Sequence, residues 1–306
     1  MSEYHIPVLL KESIEGLNIN PNGIYVDATF GGGGHSREIL SKLDKGKLIA
    51  FDQDSDSQAN SIEDERFILI QHNFRYLRNF LRYHKIAQID GLLADLGISS
   101  HHINTPERGF SFRFDAELDM RMNQNTRKTA KEVINSYESS ALMTIFKEYG
   151  EIKNAKKLTE QICVYREKQK IERIADFVEI IKNLIPVKYK NKYLAQIFQA
   201  LRIEVNDEMA VLKKMLQQTV GIIKENGRLV LISYHSLEDR LVKNFIRSGT
   251  FDGKVEKDLY GNYYAPFEAV NRKVIVPNED ELKENKRARS AKLRIARRTK
   301  EVENNG

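Results

Sequence analysis

A single cysteine, Cys163, stands among 306 residues. One thiol excludes an internal disulfide and any zinc site built on several cysteines. The seven histidines show no HExxH-like spacing, so no metal site is expected. No apolar run approaches the roughly 20 residues of a membrane span. The amino-terminal MSEYHIPVLLKE is too polar and interrupted for a secretory signal, which makes a reducing, cytoplasmic setting the expectation. Internal repeats are lacking as well. What is present, 41% hydrophobic and 30% charged residues, describes a soluble globular chain long enough for one large domain or two smaller ones.

The net charge of +6 is unevenly spread. Residues 150–192 carry 11 Lys/Arg against 6 Asp/Glu, and residues 283–300 carry 9 against 1, so the remainder is net acidic. Concentrated positive charge is the electrostatic footprint of a nucleic-acid partner. A solvated helix face and a basic tail have the same composition.

The stretch Tyr25 to Leu40, YVDATFGGGGHSREIL, reads as a strand running through four glycines into a helix. The glycines let the backbone bend sharply and approach a ligand closely. A second strand, LIAFD, ends on Asp52, about where a Rossmann-type site places the acid that binds a ribose. A nucleoside-containing cofactor is therefore expected, and two kinds compete. A nicotinamide fingerprint GxGxxG finds Gly31 and Gly33 but has Ser36 in its third position. An S-adenosylmethionine site has a looser glycine loop, an acid in the first strand and a polar or acidic residue ending the fourth. Asp27 and Asp95 stand at those two places. Ligands in open α/β sheets lie across the carboxyl ends of the strands, so Asp27, Asp52 and Asp95 would surround this one. The balance favours a methyltransferase. Phe74, after the third strand, either flanks an adenine or joins the core. His35 either meets the cofactor carboxylate or simply opens its helix, where amide hydrogens favour an anion.

Strand-like and helix-like stretches alternate from residue 24. GIYVDATF, KLIAFD, FILIQH (67–72) and IDGLLADLG (89–97) read as buried strands, with SREILSKL and FRYLRNFLRYH as helices. This βαβ alternation predicts a doubly wound parallel sheet. Residues 108–125 are loop-like, and from Ala130 to Met209 the periodicity is helical. One long helix is expected over 194–224, then the strand RLVLISYHS (228–236), the helix LEDRLVKNFIRS, and short strands at KVIVP and SAKLRIA. The terminal NNG is expected to fray. The expected organisation is a discontinuous domain, 1–107 with 211–306, holding an inserted, mostly helical domain, 108–210.

The motifs FGGGGHS, DLGISS, ERGFSFRFDAELDMRM, FQALRIEVNDE, SYHSLEDR and RARSAKLR follow one another in this order. Through them the chain resembles the RsmH/MraW family, the small-subunit ribosomal RNA cytosine-N4 methyltransferases, from about His5 to Arg297. The resemblance implies a class I (Rossmann-like) methyltransferase fold with an inserted helical domain and S-adenosyl-L-methionine as cofactor. It implies a cytidine in the decoding region of 16S ribosomal RNA as target, met either in free RNA or within the small ribosomal subunit. The family's cofactor contacts fall on Gly33, Gly34, His35, Asp52, Phe74 and Asp95. Where the family reads Pro-Gln-Leu-Asp after DLGISS, this chain has His101, His102, Ile103 and Asn104. His102 takes the place of a cofactor-contacting glutamine, and a histidine can also donate or accept one hydrogen bond.

Methylation of an exocyclic amino group must overcome delocalisation of its lone pair into the ring. Rate should come from positioning and from acceptors placed where positive charge develops. Many amino methyltransferases carry an Asn/Asp-Pro-Pro-aromatic loop after strand four; here Asp95-Leu96-Gly97-Ile98 stands there, which counts against a DNA amino-methyltransferase. Asp95 is expected either to accept the amino hydrogen or to touch only the cofactor. His235, at a strand end, is a candidate proton acceptor, with Glu238 and Asp239 opening the next helix; alternatively SYHSLEDR is a cap with Ser236 as its N-cap. Phe110, Phe112 and Phe114 either stack on bases or pack one face inward. Arg121 and Arg202 either reach phosphates or pair with Glu117 and Glu204. The remaining alternative is a noncatalytic RNA-binding protein on a degenerate nucleotide fold, against which the intact glycine loop and Asp52 argue.

Overall fold

The computed structural model describes residues 7–255, 257, 261 and 263–300, so the expected fraying of NNG lies outside the described residues. In chain order, α1 (Leu10–Leu17) precedes β1 (Ile24–Asp27), α2 (Gly34–Lys42), β2 (Lys47–Phe51), β3 (Phe67–Ile70), α3 (Leu77–Tyr83) and β4 (Ile89–Asp95). Then come α4 (Ser100–Asn104), α5 (Ala130–Ser136), α6 (Ser139–Glu148), α7 (Ala155–Arg166), α8 (Ile174–Ile181) and α9 (Lys190–Asn206). The chain continues through α10 (Glu208–Ile222), β5 (Ile223–Ser233), α11 (Ser236–Ser248), β6 (Phe267–Ala269), α12 (Glu279–Glu284) and β7 (Lys292–Arg298).

The chain divides into two compact units, 1–97 with 209–306, and 98–208. The sequence placed residues 98–107 with the sheet. They belong instead to the helical unit, because Ile98 packs on its core and the His102 ring lies 4.8 Å from that of Phe110.

The first unit is built on one sheet of order β3-β2-β1-β4-β5-β7-β6. The first five strands in that order run parallel, β7 runs antiparallel to β5, and β6 runs antiparallel to β7. This is the class I methyltransferase arrangement, with the strand order reversing between β1 and β4. Near-continuous apolar runs are needed because helices cover both faces. Side chains alternate between them: Ile49, Phe51, Leu92, Ala94, Leu229 and Leu231 join one core, while Leu48, Ala50, Leu93, Val230 and Ile232 join the other. Leu77, Met215 and Phe245 of α3, α10 and α11 cover the first face; Leu17 and Ile39 of α1 and α2 cover the second.

Three expectations need correction. The single helix expected over 194–224 is two, because Asp207 adopts a left-handed conformation (φ 52°) that ends α9. Aspartate tolerates this region better than most residues, and its Oδ1 accepts from Lys128 Nζ at 2.8 Å. The strand expected at KVIVP reduces to one bridge, Ile275 to Leu293, and the sheet's edge is β6 instead. The basic segment near the carboxyl end is not a tail. It folds as α12 and β7, and Lys292 and Arg294 both bind Asp239 while Arg297 binds Glu268.

The second unit packs α5 to α9 around Leu142, Phe146, Leu158, Ile162, Phe177 and Leu201. The non-helical stretch before α5 is ordered by its own contacts. Buried Arg108 donates to the carbonyls of Arg121 and Met122, both at 3.0 Å, and Asn206 Nδ2 donates to Met120 O.

Candidate active site

Parallel strands deliver β1, β2 and β4 to one edge of the sheet with their carboxyl ends together. Gly33 caps α2 in the left-handed region (φ 76°), which is why a glycine stands there. Gly34 is packed so closely that a Cβ would lie 2.1 Å from Pro7 Cγ. Gly31 and Gly32 differ: a Cβ on either would meet nothing within 4 Å. The loop is thus clamped at one end; at the other it has steric room, while Asp52, Asn60 and Arg37 hold Gly31 N, Gly31 O and Gly32 O.

Asp27, at the end of β1, is fully buried and braces this loop. Its Oδ2 accepts from Ser36 Oγ at 2.7 Å and its Oδ1 from Thr29 N at 3.0 Å. Ser36 occupies the position a dinucleotide fingerprint gives to glycine because its hydroxyl is needed by Asp27. Burial holds the Asp27 carboxyl above its ordinary pKa, with those hydrogen bonds opposing.

Asp52, half-buried just past β2, ties the loop to the second strand. Gly31 N donates to its Oδ2 at 2.8 Å, and Asp54 N to its Oδ1 at 2.9 Å. His35 is buried, with Nε2 3.2 Å from Val8 O, and burial lowers its pKa to about 4. A neutral ring gives no cationic attraction to a carboxylate, so its place in the structure is that of a helix-opening core residue. Phe74 lies half-buried in a short 3-10 turn after β3 and packs on the core beneath the sheet. That turn is fixed by Asn73, whose Nδ2 donates to Gln53 Oε1 beside Asp52 at 2.7 Å.

Asp95 ends β4. Its backbone N donates to Thr29 Oγ1 at 2.7 Å, joining it to the glycine loop. Its Oδ1 accepts from Tyr234 Oη at 2.8 Å. Burial raises the carboxyl's pKa to about 7; the Tyr234 bond opposes this, and the charges of Asp27 and Glu238 add to it. Tyr234 was not singled out from the sequence, although its place at the end of an apolar strand inside SYHS was a signal.

SYHSLEDR is a strand-to-helix cap, and its capping residue is His235. It is the N-cap of α11, with Nδ1 accepting from Glu238 N at 3.4 Å, so Ser236 is the first helical residue and not the cap. The Glu238 carboxylate accepts in return from His235 N at 3.4 Å and from Tyr234 N at 2.9 Å. His235 Nε2 is buried and lies 3.1 Å from Glu238 Oε1. An imidazole so enclosed serves the turn between β5 and α11 and is poorly placed to receive a proton from a ligand.

The other residues singled out from sequence belong to the second unit. His102 is buried in α4, where its Nδ1 accepts from Ser99 N at 3.2 Å in a capping box. Phe110 is buried and Phe112 packs edge-on to Phe198, while Phe114 is 44% exposed. Arg121 pairs with Asp119 and Arg202 with Glu208, not with Glu117 and Glu204. Glu204 instead takes Tyr137 Oη at 2.7 Å and Lys128 Nζ at 3.3 Å.

The model of the MraW methylase family matches residues 2–299. The chain belongs to the MraW methylase family. It is 58% identical over 294 residues to the ribosomal RNA small subunit methyltransferase H of Bacteroides fragilis, covering 96% of this chain and 97% of that one. The protein of the same description from Parabacteroides distasonis is 56% identical over 295 residues, with the same coverage of the two chains. That from Christiangramia forsetii is 57% identical over 299 residues, covering 97% and 99%.

The cofactor of this methylase is S-adenosyl-L-methionine, and the residues present fit it. A Cβ on Gly31 or Gly32 would meet nothing within 4 Å, which leaves room for a ligand beside the loop, and Asp52 places a carboxylate next to it just past β2. Asp95 Oδ2 accepts no hydrogen bond among the described residues. Among the described residues no helix is long and apolar enough to cross a membrane.

Proposed function

We propose that this methylase transfers the methyl group of S-adenosyl-L-methionine to the exocyclic N4 of a cytidine in the decoding region of 16S ribosomal RNA. The substrate is the RNA within the small ribosomal subunit, in the cytoplasm. Family membership and the relatives' description as ribosomal RNA small subunit methyltransferases support the substrate class. The observation that carries the chemistry is Asp95: a carboxylate at the end of β4, at the reversal in strand order, with one oxygen held and one available.

The cofactor supplies a methyl group activated by positive sulfur. Gly33, Gly34, Asp52 and Phe74 frame its nucleoside portion. The amino nitrogen gains positive charge as it is methylated, and Asp95 Oδ2 accepts its hydrogen, first in a hydrogen bond and then as a proton. A strong base is unnecessary, because the methylated ammonium is acidic. Recognition of RNA belongs to residues 98–208, where Lys188, Lys190 and Lys192 are exposed around Tyr189, itself 56% exposed.

The test is transfer of a tritiated methyl group to small ribosomal subunits that lack the modification, with the labelled nucleoside identified. N4-methylcytidine is the expected product. Label in any other nucleoside, or none, overturns the assignment.

A further inference from the structure

We propose that Tyr234 is the positioning residue of the reaction, holding Asp95 Oδ1 so that Oδ2 is the oxygen that takes the amino proton. The proposal rests on the role given to Asp95 under Proposed function and adds a residue to it. β4 and β5 are adjacent, with Asp95 opposite Ile232, so the residue two places on can lay its ring across the end of β4. A Cβ on Gly97 would lie 3.5 Å from the Tyr234 ring. The ring's backbone is fixed independently: Tyr234 N donates at 2.9 Å to Glu238, a carboxylate only 2% exposed. The other end of the pair is fixed as well, through the bond from Asp95 N to Thr29. A hydroxyl held at 2.8 Å between two anchored backbones selects one carboxylate rotamer and leaves the second oxygen with no partner among the described residues.

The groups facing this pair are all acidic. Asp27 from β1 and Glu238 from α11 face Asp95; Tyr234 faces Asp95, Glu238 and Glu281 of α12. Burial and these charges hold the phenol above its ordinary pKa, so it stays a donor throughout the working range. Its bond opposes the burial, and the smaller repulsion from Asp27 and Glu238, that favour a proton on Asp95. In the transfer, the N4 lone pair forms a bond to the methyl carbon while the carbon–sulfur bond breaks and its electron pair stays on sulfur. The N4 proton then passes to Asp95 Oδ2 and on to solvent. Only an ionised Asp95 can receive it.

The experiment compares the wild-type protein with Tyr234→Phe and Asp95→Asn. It measures kcat and KM on small subunits lacking the modification from about pH 5 to 9, and S-adenosylmethionine binding by calorimetry. Tyr234→Phe should bind the cofactor and the subunit as wild type does. Its acidic limb should move up by about one pH unit, with kcat lower by about fivefold near neutrality and about tenfold on the acidic limb, the loss of one hydrogen bond to a charged group. A Tyr234→Phe profile superimposable on wild type, with Asp95→Asn inactive, removes the positioning role and leaves the Asp95 assignment standing. Normal turnover by Asp95→Asn removes both. Loss of cofactor binding in Tyr234→Phe makes the tyrosine part of the cofactor site and overturns the proposal.

Discussion

Asp52 Oδ2 accepts a hydrogen bond from Gly31 N at 2.8 Å, across twenty-one residues of sequence. The carboxylate just past β2 therefore shapes the glycine loop, besides the ribose contact proposed for it. Asp52→Ala should weaken S-adenosylhomocysteine binding by about ten- to a hundredfold, the cost of removing hydrogen bonds to a charged group. Asp52→Asn should lose less, since its amide oxygen still accepts from one backbone N–H. Calorimetric titration of both variants checks this; equal affinities in wild type and Asp52→Ala would contradict it.

The two ends of the glycine run should respond oppositely to a methyl group. At Gly34 a Cβ would sit 2.1 Å from Pro7 Cγ, so Gly34→Ala must displace the segment before α1 and cost about 1–3 kcal/mol in stability. At Gly32 the same substitution meets open space, and unfolding in urea should change by less than about 0.5 kcal/mol. Cofactor affinity should nevertheless fall in Gly32→Ala, because the methyl group occupies the approach to the backbone. Urea melts and calorimetry on the pair separate the two effects.

His35 carries a pH dependence of stability. Its pKa in the folded chain is about 4, below the ordinary 6.5 of the unfolded chain. As pH falls through 6.5 the unfolded chain takes up a proton that the folded chain refuses, so stability declines until about pH 4 and then levels. The full loss is about 3 kcal/mol by linkage. His35→Gln should flatten that part of the curve, read as the urea midpoint at a series of pH values. An equal acid decline in wild type and variant would remove His35 as its source.

On residues 98–208, Lys188 Nζ lies 5.6 Å from the centre of the Tyr189 ring, and Lys190 and Lys192 are exposed beside it. Replacing all three lysines by Glu should lower kcat/KM for the small subunit and reduce the slope of log affinity against log salt by about two to three. Cofactor affinity should be unchanged. An unaltered salt slope in filter binding would move RNA recognition elsewhere.

The strands of the sheet were legible in the sequence because each is a short apolar run bounded by turn residues, and burial on both faces leaves no room for polar alternation. The glycine cluster and the acids at 27, 52 and 95 were legible for the same reason: strand ends are where such residues are otherwise costly. Asp207 was not, since one aspartate inside a helical pattern looks like a surface residue until its left-handed conformation is seen. Nor was β6, whose three residues gain their regularity only by pairing with β7. Arg121 pairs with Asp119, nearer in sequence than the expected Glu117, and Arg202 with Glu208, farther than Glu204, so sequence spacing identifies neither partner. The bond from Tyr234 to Asp95 spans 139 positions, a separation that local pattern does not reach.

That separation also orders events during synthesis. The glycine loop, Asp52 and Asp95 leave the ribosome early, and Tyr234 follows only after the whole helical unit has been made. Joining β5 to β4 closes a very long loop, which folds slowly and late. A nascent chain thus holds the residues of the glycine loop well before the phenol that bonds Asp95, and that bond forms only once β5 has docked beside β4.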